Sequence, residues 1–383
     1  MIPLPGREQR EIAAAVARFA ASLAPRIEAA EEAGAIPADV IASLGAMGVL
    51  GMTVPESDGG LGAGSVAFAL VLEELAAAWA SLAVGVSVNC GITEGTLVRL
   101  GTPEQKRRWL PRLIDGSGLG AFALTEPGSG SDAAALRTTA RRDGDGWVLS
   151  GRKMFVTNLR YAPVVIVLAR VGQAEPGRPH RGITAFLVPT DAPGVTVAKA
   201  ERKMGLHASD TSALALDGAR VGGDAVLGPL GNGFGPVALA GLDSGRIGIA
   251  AQAVGIARGA IERARAYVGQ RRQFGRAIGD FQMVRFALAR AATEVSAARM
   301  LTLRAAWLKD AGRPFTREAS QAKLYASEMA QRATRTAVQL LGGYGYMREA
   351  VVERCARDAR ATTIYEGTSE VQRLVIARSL VAA

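Results

Sequence analysis

Apolar residues recur at helical spacing near both ends of the chain, with short β-prone runs between them. Ile12, Val16, Phe19 and Leu23 stand four, three and four apart, which places one stripe along a helix. Pro25, Pro37, Pro55 and Gly59-Gly60 punctuate that region. From about residue 119 the runs shorten. Asp143-Gly144-Asp145-Gly146 separates two β-prone runs as a hairpin turn does. Val164 to Leu168, Thr184 to Val188 and Val195 to Val197 predict further strands, divided by Pro189 and Pro193-Gly194. This texture predicts a small antiparallel barrel or sandwich. From about 229 the helical rhythm returns. Val284, Leu288, Ala291, Val295 and Ala298 alternate four and three. Ala322, Ala326, Met329 and Ala333 repeat it until Gly342-Gly343 ends the helix. Both stripes predict bundle core. The chain therefore reads as mainly α with a β middle domain, in blocks 1–118, 119–228 and 229–383.

Composition narrows the possibilities. A chain of 383 residues, 49% of them hydrophobic, can bury large cores. The longest uncharged stretch, 19 residues from Leu75 to Thr93, includes Ser81, Gly85, Ser87, Asn89, Gly91 and Thr93. It reads as a buried core helix and loop, not a membrane span. Arg7, Glu8, Arg10 and Glu11 argue against a secretory signal. Cys90 and Cys355 have no metal or redox spacing and read as free thiols of a reducing cytoplasm. Net charge is +10, and arginine supplies 39 of the 45 basic residues. Guanidinium groups suit anionic ligands. The basic residues are dispersed, without a long run or interleaved aromatics, which argues against nucleic acid.

Glu366 is the strongest candidate for chemistry. It lies between apolar Ile364-Tyr365 and Gly367, a setting that desolvates a carboxylate, makes it more basic and suits it to proton abstraction. Histidines are scarce, with only His180 and His207. Thr125-Glu126-Pro127-Gly128-Ser129-Gly130-Ser131-Asp132 follows an apolar run, and its backbone N–H groups and hydroxyls suit either a polar cofactor or a plain surface turn. It matches neither a P-loop nor a dinucleotide fingerprint. In Lys153 to Asn158, alternate residues share a face, so Phe155 and Thr157 suit a flat ring or a plain strand equally. Gly269 to Arg276 groups three arginines around Phe274, a grip for pyrophosphate or a solvated helix end. Asp243-Ser244-Gly245-Arg246 opens a helix, with Asp243 as a candidate cap and Arg246 directed at an anion.

Taken together and in this order, TEPGSGSD (125–132), KMFVTN (153–158), LDSGR (242–246), QRRQFG (270–275), QLLGGYG (339–345) and IYEGTSEVQR (364–373) resemble the acyl-CoA dehydrogenase family over essentially the whole chain. The resemblance implies an N-terminal helical domain, a central antiparallel β-barrel and a C-terminal four-helix bundle. It implies FAD between the last two domains, in a homotetramer. Phe122, Leu124, Thr125, Gly130, Ser131, Phe155 and Thr157 would contact the flavin, with Thr368 and Glu370 nearby. Arg271, Gln273, Phe274, Gln282, Gln339, Gly342 and Gly343 would reach FAD from a neighbouring subunit. Ser131, Asp243, Arg246 and Gly367 would hold the acyl-CoA thioester. No metal is implied.

The resemblance also implies the reaction. Glu366 would remove a proton α to the thioester carbonyl, and the β-carbon would deliver hydride to flavin N5, leaving a trans-2-enoyl thioester. The thioester oxygen would accept hydrogen bonds from the base's own N–H and a ribityl hydroxyl, stabilisation of about 3–4 kcal/mol per donor. Some relatives place the base beside the arginine of the LDSGR-type segment. Gly245 stands there in this chain, leaving Glu366. The segment Ala83 to Asn89 lacks the arginine of glutaryl-CoA relatives, and Ser87-Val88-Asn89 looks like short-chain and branched-chain members. Phe155 and Leu159 depart from the common pattern, where tryptophan and a small residue stand. Electron-transfer flavoprotein is the expected acceptor. An oxidase, or a dehydrogenase of carrier-protein thioesters, is the alternative on the same scaffold.

Overall fold

The computed structural model describes residues 5–173 and 175–381. The predicted outer blocks extend at residues 1–4 and 382–383 beyond the described residues.

Among the described residues, seven α-helices come first: α1 (Arg7–Ser22), α2 (Ala24–Ala33), α3 (Ala38–Ala46), α4 (Gly64–Ala78), α5 (Ala80–Val86), α6 (Gly95–Leu100) and α7 (Pro103–Ile114). The stripe on α1 faces inward, with Val16 and Leu23 buried and Ile12 and Phe19 partly so. Thr102 and Gln105 cap α7 reciprocally, through Gln105 N–H to Thr102 Oγ1 at 3.2 Å and Thr102 N–H to Gln105 Oε1 at 3.0 Å. Between α5 and α6, Ser87–Glu94 forms a wider π-helical segment. The uncharged stretch is thus buried as expected, but it stays helical where a loop was expected. Ala80–Leu100 is long and apolar enough to span a membrane by length and composition, yet 89% of that window is buried inside the protein.

The middle of the chain holds β1 (Ala121–Ala123), β2 (Thr139–Asp143), β3 (Gly146–Thr157), β4 (Val164–Val171), β5 (Ile183–Pro189), β6 (Val195–Val197), β7 (Thr211–Val221) and β8 (Val226–Leu227). The Asp143–Gly146 turn closes the β2–β3 hairpin as expected. The sheet is mixed, which corrects the expectation of a purely antiparallel one. Its order is β6-β7-β3-β2-β4-β5-β8, and β1 also pairs with β4. β4 follows β3 in sequence but pairs with β2 beyond it, and that skip of one strand makes β2 and β4 parallel. β4 is buried on both faces. Val164, Ile166 and Leu168 meet Trp109, Leu110 and Leu113 of α7, while Val165, Val167 and Ala169 join Trp147 and Phe186. Burial on both sides explains its unbroken apolar run.

The last block contains α8 (Ala240–Gln270), a small hairpin of β9 (Arg272–Gln273) and β10 (Arg276–Ala277), then α9 (Gln282–Asp310), α10 (Thr316–Leu341), α11 (Val352–Ala361) and α12 (Ser369–Val381). Ala322, Ala326, Met329 and Ala333 are all buried on α10, which ends where Gly342 takes φ of 59°. Small side chains let α10 and α4 pack closely on α8. The helices of both ends consequently share one apolar core, from Ala13 of α1 to Ala359 of α11.

Candidate active site

The link between α11 and α12 is a tight turn carrying Glu366. Ile364 and Tyr365 N–H groups donate to Ala361 O, and Ser369 N–H reaches back to Thr363 O at 3.0 Å. Glu366 takes φ of 53° and Gly367 φ of 94°. A left-handed glutamate is strained and persists only where its surroundings hold it. Gln372 supplies part of that hold, its Nε2 donating to Glu366 O at 3.1 Å and Gly367 O at 2.9 Å. Tyr365 anchors the other side through its hydroxyl to Gln252 Oε1 of α8 at 2.5 Å.

The Glu366 carboxyl projects onto Gly245 of α8, where any side chain would collide with it. Its Oε2 is buried and has no hydrogen-bond partner. Burial pushes the carboxyl up to about 8, against the opposing pull of Lys323 and then Arg246. The sequence expectation of a desolvated, basic carboxylate therefore matches the structure.

Arg246 and Asp243 differ from their sequence reading. Asp243 is not a helix cap, because α8 begins earlier at Ala240, continuing from a π-helical turn at Phe234–Leu239. Its carboxylate instead accepts from Arg246 Nη1 and from Thr316 Oγ1, both at 2.5 Å. Arg246 is buried, also touches Ser320 Oγ at 3.3 Å, and leaves Nε unpartnered.

A second group of predicted residues gathers at the sheet. Phe122 and Leu124 lie on or beside β1, and Thr125 O accepts from Met154 N–H at 2.9 Å, so the Thr125–Asp132 loop adjoins β3. Glu126 turns inward. Its carboxylate accepts from Lys153 Nζ at 2.8 Å and from the N–H groups of Arg137 and Thr138 at 2.6 and 2.9 Å. That fixes the loop and leaves Gly130 and Ser131 exposed, with open space around Gly130. On β3 the pairing with β7 slips between Lys153 and Val156, and Phe155 takes φ of 57°. Phe155 is 63% exposed and Thr157 half-buried on the same outer side. An exposed aromatic beside an open glycine-rich loop is a fitting cradle for a flat, polar ring system.

A third group lies at the far end of α8 and α10. Arg271, Gln273, Phe274 and Gln282 are exposed around the β9–β10 hairpin, and Phe274 is 93% exposed. Gln339, Gly342 and Gly343 are exposed at the end of α10, and the Arg271 guanidinium lies 5.8 Å from the centre of the adjoining Tyr344 ring. Thr368 and Glu370 begin α12. Thr368 Oγ1 accepts from Val371 N–H at 3.3 Å, and exposed Glu370 pairs with Arg373 at 3.2 Å.

Family models for the acyl-CoA dehydrogenase N-terminal, middle and C-terminal domains match residues 6–117, 121–219 and 231–381. The chain belongs to the acyl-CoA dehydrogenase family. It is thus of an oxidoreductase family, with the helical, β and helical organisation that its sequence resemblance implied. The short-chain specific acyl-CoA dehydrogenase of Bos taurus is 46% identical over 90% of this chain and 82% of its own length. The butyryl-CoA dehydrogenase of Megasphaera elsdenii superposes with a TM-score of 0.96 over 100% of both chains, at 38% identity. A glutaryl-CoA dehydrogenase from Mycobacterium smegmatis, solved with FADH2, has a TM-score of 0.93, covering 99% and 96% of the two chains at 36% identity.

Several residues that shape the site escaped sequence reasoning. Lys323 on α10 and Gln372 on α12 donate to the Glu366–Gly367 turn, Gln252 on α8 accepts from Tyr365, and Ser320 and Thr316 on α10 meet Arg246 and Asp243. One signal was available: a lysine at 323 directly beside the buried Ala322 stripe.

Proposed function

We propose that the protein oxidises short acyl-CoA thioesters to trans-2-enoyl-CoA, with Glu366 as the base. The likeness to a short-chain acyl-CoA dehydrogenase and a butyryl-CoA dehydrogenase supports the substrate class. One observation carries the reading: a carboxyl whose Oε2 is buried and unpartnered, seated in the gap left by Gly245.

A proton α to a thioester is too weakly acidic for an ordinary carboxylate. Desolvation strengthens Glu366 as a base, while Arg246 and Lys323 stabilise its ionised form before reaction. The thioester oxygen would accept from the Glu366 backbone N–H, so negative charge gains a donor as the proton departs. Asp243, Arg246, Ser131 and Gly367 would line the thioester's path.

The exposed Phe155, the Thr125–Ser131 loop, Thr157, Thr368 and Glu370 would hold FAD in one subunit. The Arg271–Phe274 hairpin, Gln282 and the Gln339–Gly343 turn would hold it from the next, within a homotetramer. FAD, when bound, supplies the acceptor for the hydride that leaves the β-carbon. Electron-transfer flavoprotein in the cytoplasm would then reoxidise the enzyme.

The test is Glu366→Gln. The variant should purify with its flavin, yet mixing it anaerobically with butyryl-CoA should bleach that flavin at least ~100-fold more slowly than in the unaltered protein. Bleaching at the original rate would refute the assignment.

A further inference from the structure

We propose that Lys323 is the positioning residue of the Glu366 turn, its ammonium clamping the Gly367 carbonyl from the interior of α10. This rests on the reading of Glu366 as the base.

Lys323 is fully buried on α10, between the buried Ala322 and Ala326 rows. A lysine there is costly unless its ammonium has partners. Its Nζ donates to Gly367 O at 2.7 Å, and Gln372 Nε2 donates to the same oxygen at 2.9 Å. Two donors from two helices thus converge on one carbonyl. That carbonyl follows directly after the left-handed Glu366, and rotating the Glu366–Gly367 backbone would swing the base off Gly245. The carboxyl of the base thus sits in the space left by Gly245, while Lys323 and Gln372 hold the carbonyl of the residue after it.

Charge adds a second effect. Against the burial that disfavours ionised Glu366, Lys323 is the largest influence favouring it, ahead of Arg246 on α8. The groups facing Lys323 are Glu366, Arg246, Glu328 on its own helix and Glu370 on α12. Burial is the strongest influence on the ammonium and lowers it to about 8, with Glu366, Glu328 and Glu370 opposing that shift and Arg246 reinforcing it.

The experiment compares the flavin-loaded protein with Lys323→Met and Lys323→Arg. We expect Lys323→Met to keep its flavin and to lose kcat for butyryl-CoA by roughly 10- to 100-fold, with KM changed less than threefold. Its acid limb in kcat/KM should move to higher pH, and the isotope effect with α-deuterated butyryl-CoA should rise. Lys323→Arg, which retains charge and donors, should recover at least part of kcat and return the acid limb. An unchanged kcat and isotope effect in folded Lys323→Met would overturn the proposal. If that variant does not fold, Gln372→Met decides, since it removes the other donor: it should raise the isotope effect, and an unaltered one overturns the clamp. An unaltered protein that oxidises no acyl-CoA would instead sink the functional reading itself.

Discussion

Gly245 and Glu366 meet face to face between α8 and the α11–α12 turn, and a methyl group on Gly245 would stand 2.6 Å from the Glu366 Cδ. The missing side chain on α8 makes the seat for the base. A side chain added at Gly245 would have to displace that carboxyl.

Gly245→Ala should therefore displace the carboxylate while leaving α8 intact, since alanine favours helix. Displacement by about 1 Å costs on the order of 100-fold in rate. Steady-state kinetics with butyryl-CoA should show that loss, with circular dichroism unchanged. Full activity would mean that the carboxylate acts from another position.

The pH dependence follows from the raised Glu366 value. The base works as a carboxylate, so kcat/KM should fall about tenfold per pH unit below about 8. Stability moves the other way. A carboxyl raised by folding contributes fully below its unfolded value, and that contribution is lost as pH rises through about 8. Melting temperature against pH should accordingly decline less across this range in Glu366→Gln than in the unaltered protein.

Lys153→Met should destabilise the protein by about 3 kcal/mol, because it leaves the buried Glu126 carboxylate with only its two backbone donors. Urea unfolding measures this. A double replacement with Glu126→Leu should recover part of the loss, because no buried charge then lacks its partner.

Asn158→Ala should cost about 2 kcal/mol. Asn158 holds a left-handed φ of 67°, which asparagine tolerates better than alanine. Its Nδ2 also joins Gly85 O of α5 at 2.9 Å to Gly120 O, just before β1, at 3.1 Å. Chemical denaturation should register the loss, and flavin content should fall with it, because β3 ends beside this joint.

Much of this arrangement was legible beforehand. The α1 and α10 stripes, the Asp143–Gly146 hairpin and the limits of β6 all follow from local spacing and turn chemistry, which nearby residues decide. Glu366 was legible as a candidate too, from its local Ile-Tyr-Glu-Gly pattern, although Ile364 is 53% exposed and the carboxyl's surroundings come from α8. The direction of β4, the true start of α8 and the inward turn of Glu126 were not. Each depends on a partner far along the chain: β2 for β4, the Phe234–Leu239 turn running into α8, and Lys153 for Glu126.

By itself, the sequence determined the helical, β and helical order of the three blocks, the family and the identity of the candidate base, since periodicity and motif are properties of the chain itself. Tertiary structure alone decided that Gly245 makes room for Glu366, that Lys323 and Gln372 grip its turn, and how far burial raises its basicity. Desolvation and charge pairing depend on what stands within a few ångströms in space, and residues 245, 323 and 366 become neighbours only when α8, α10 and the last turn pack together.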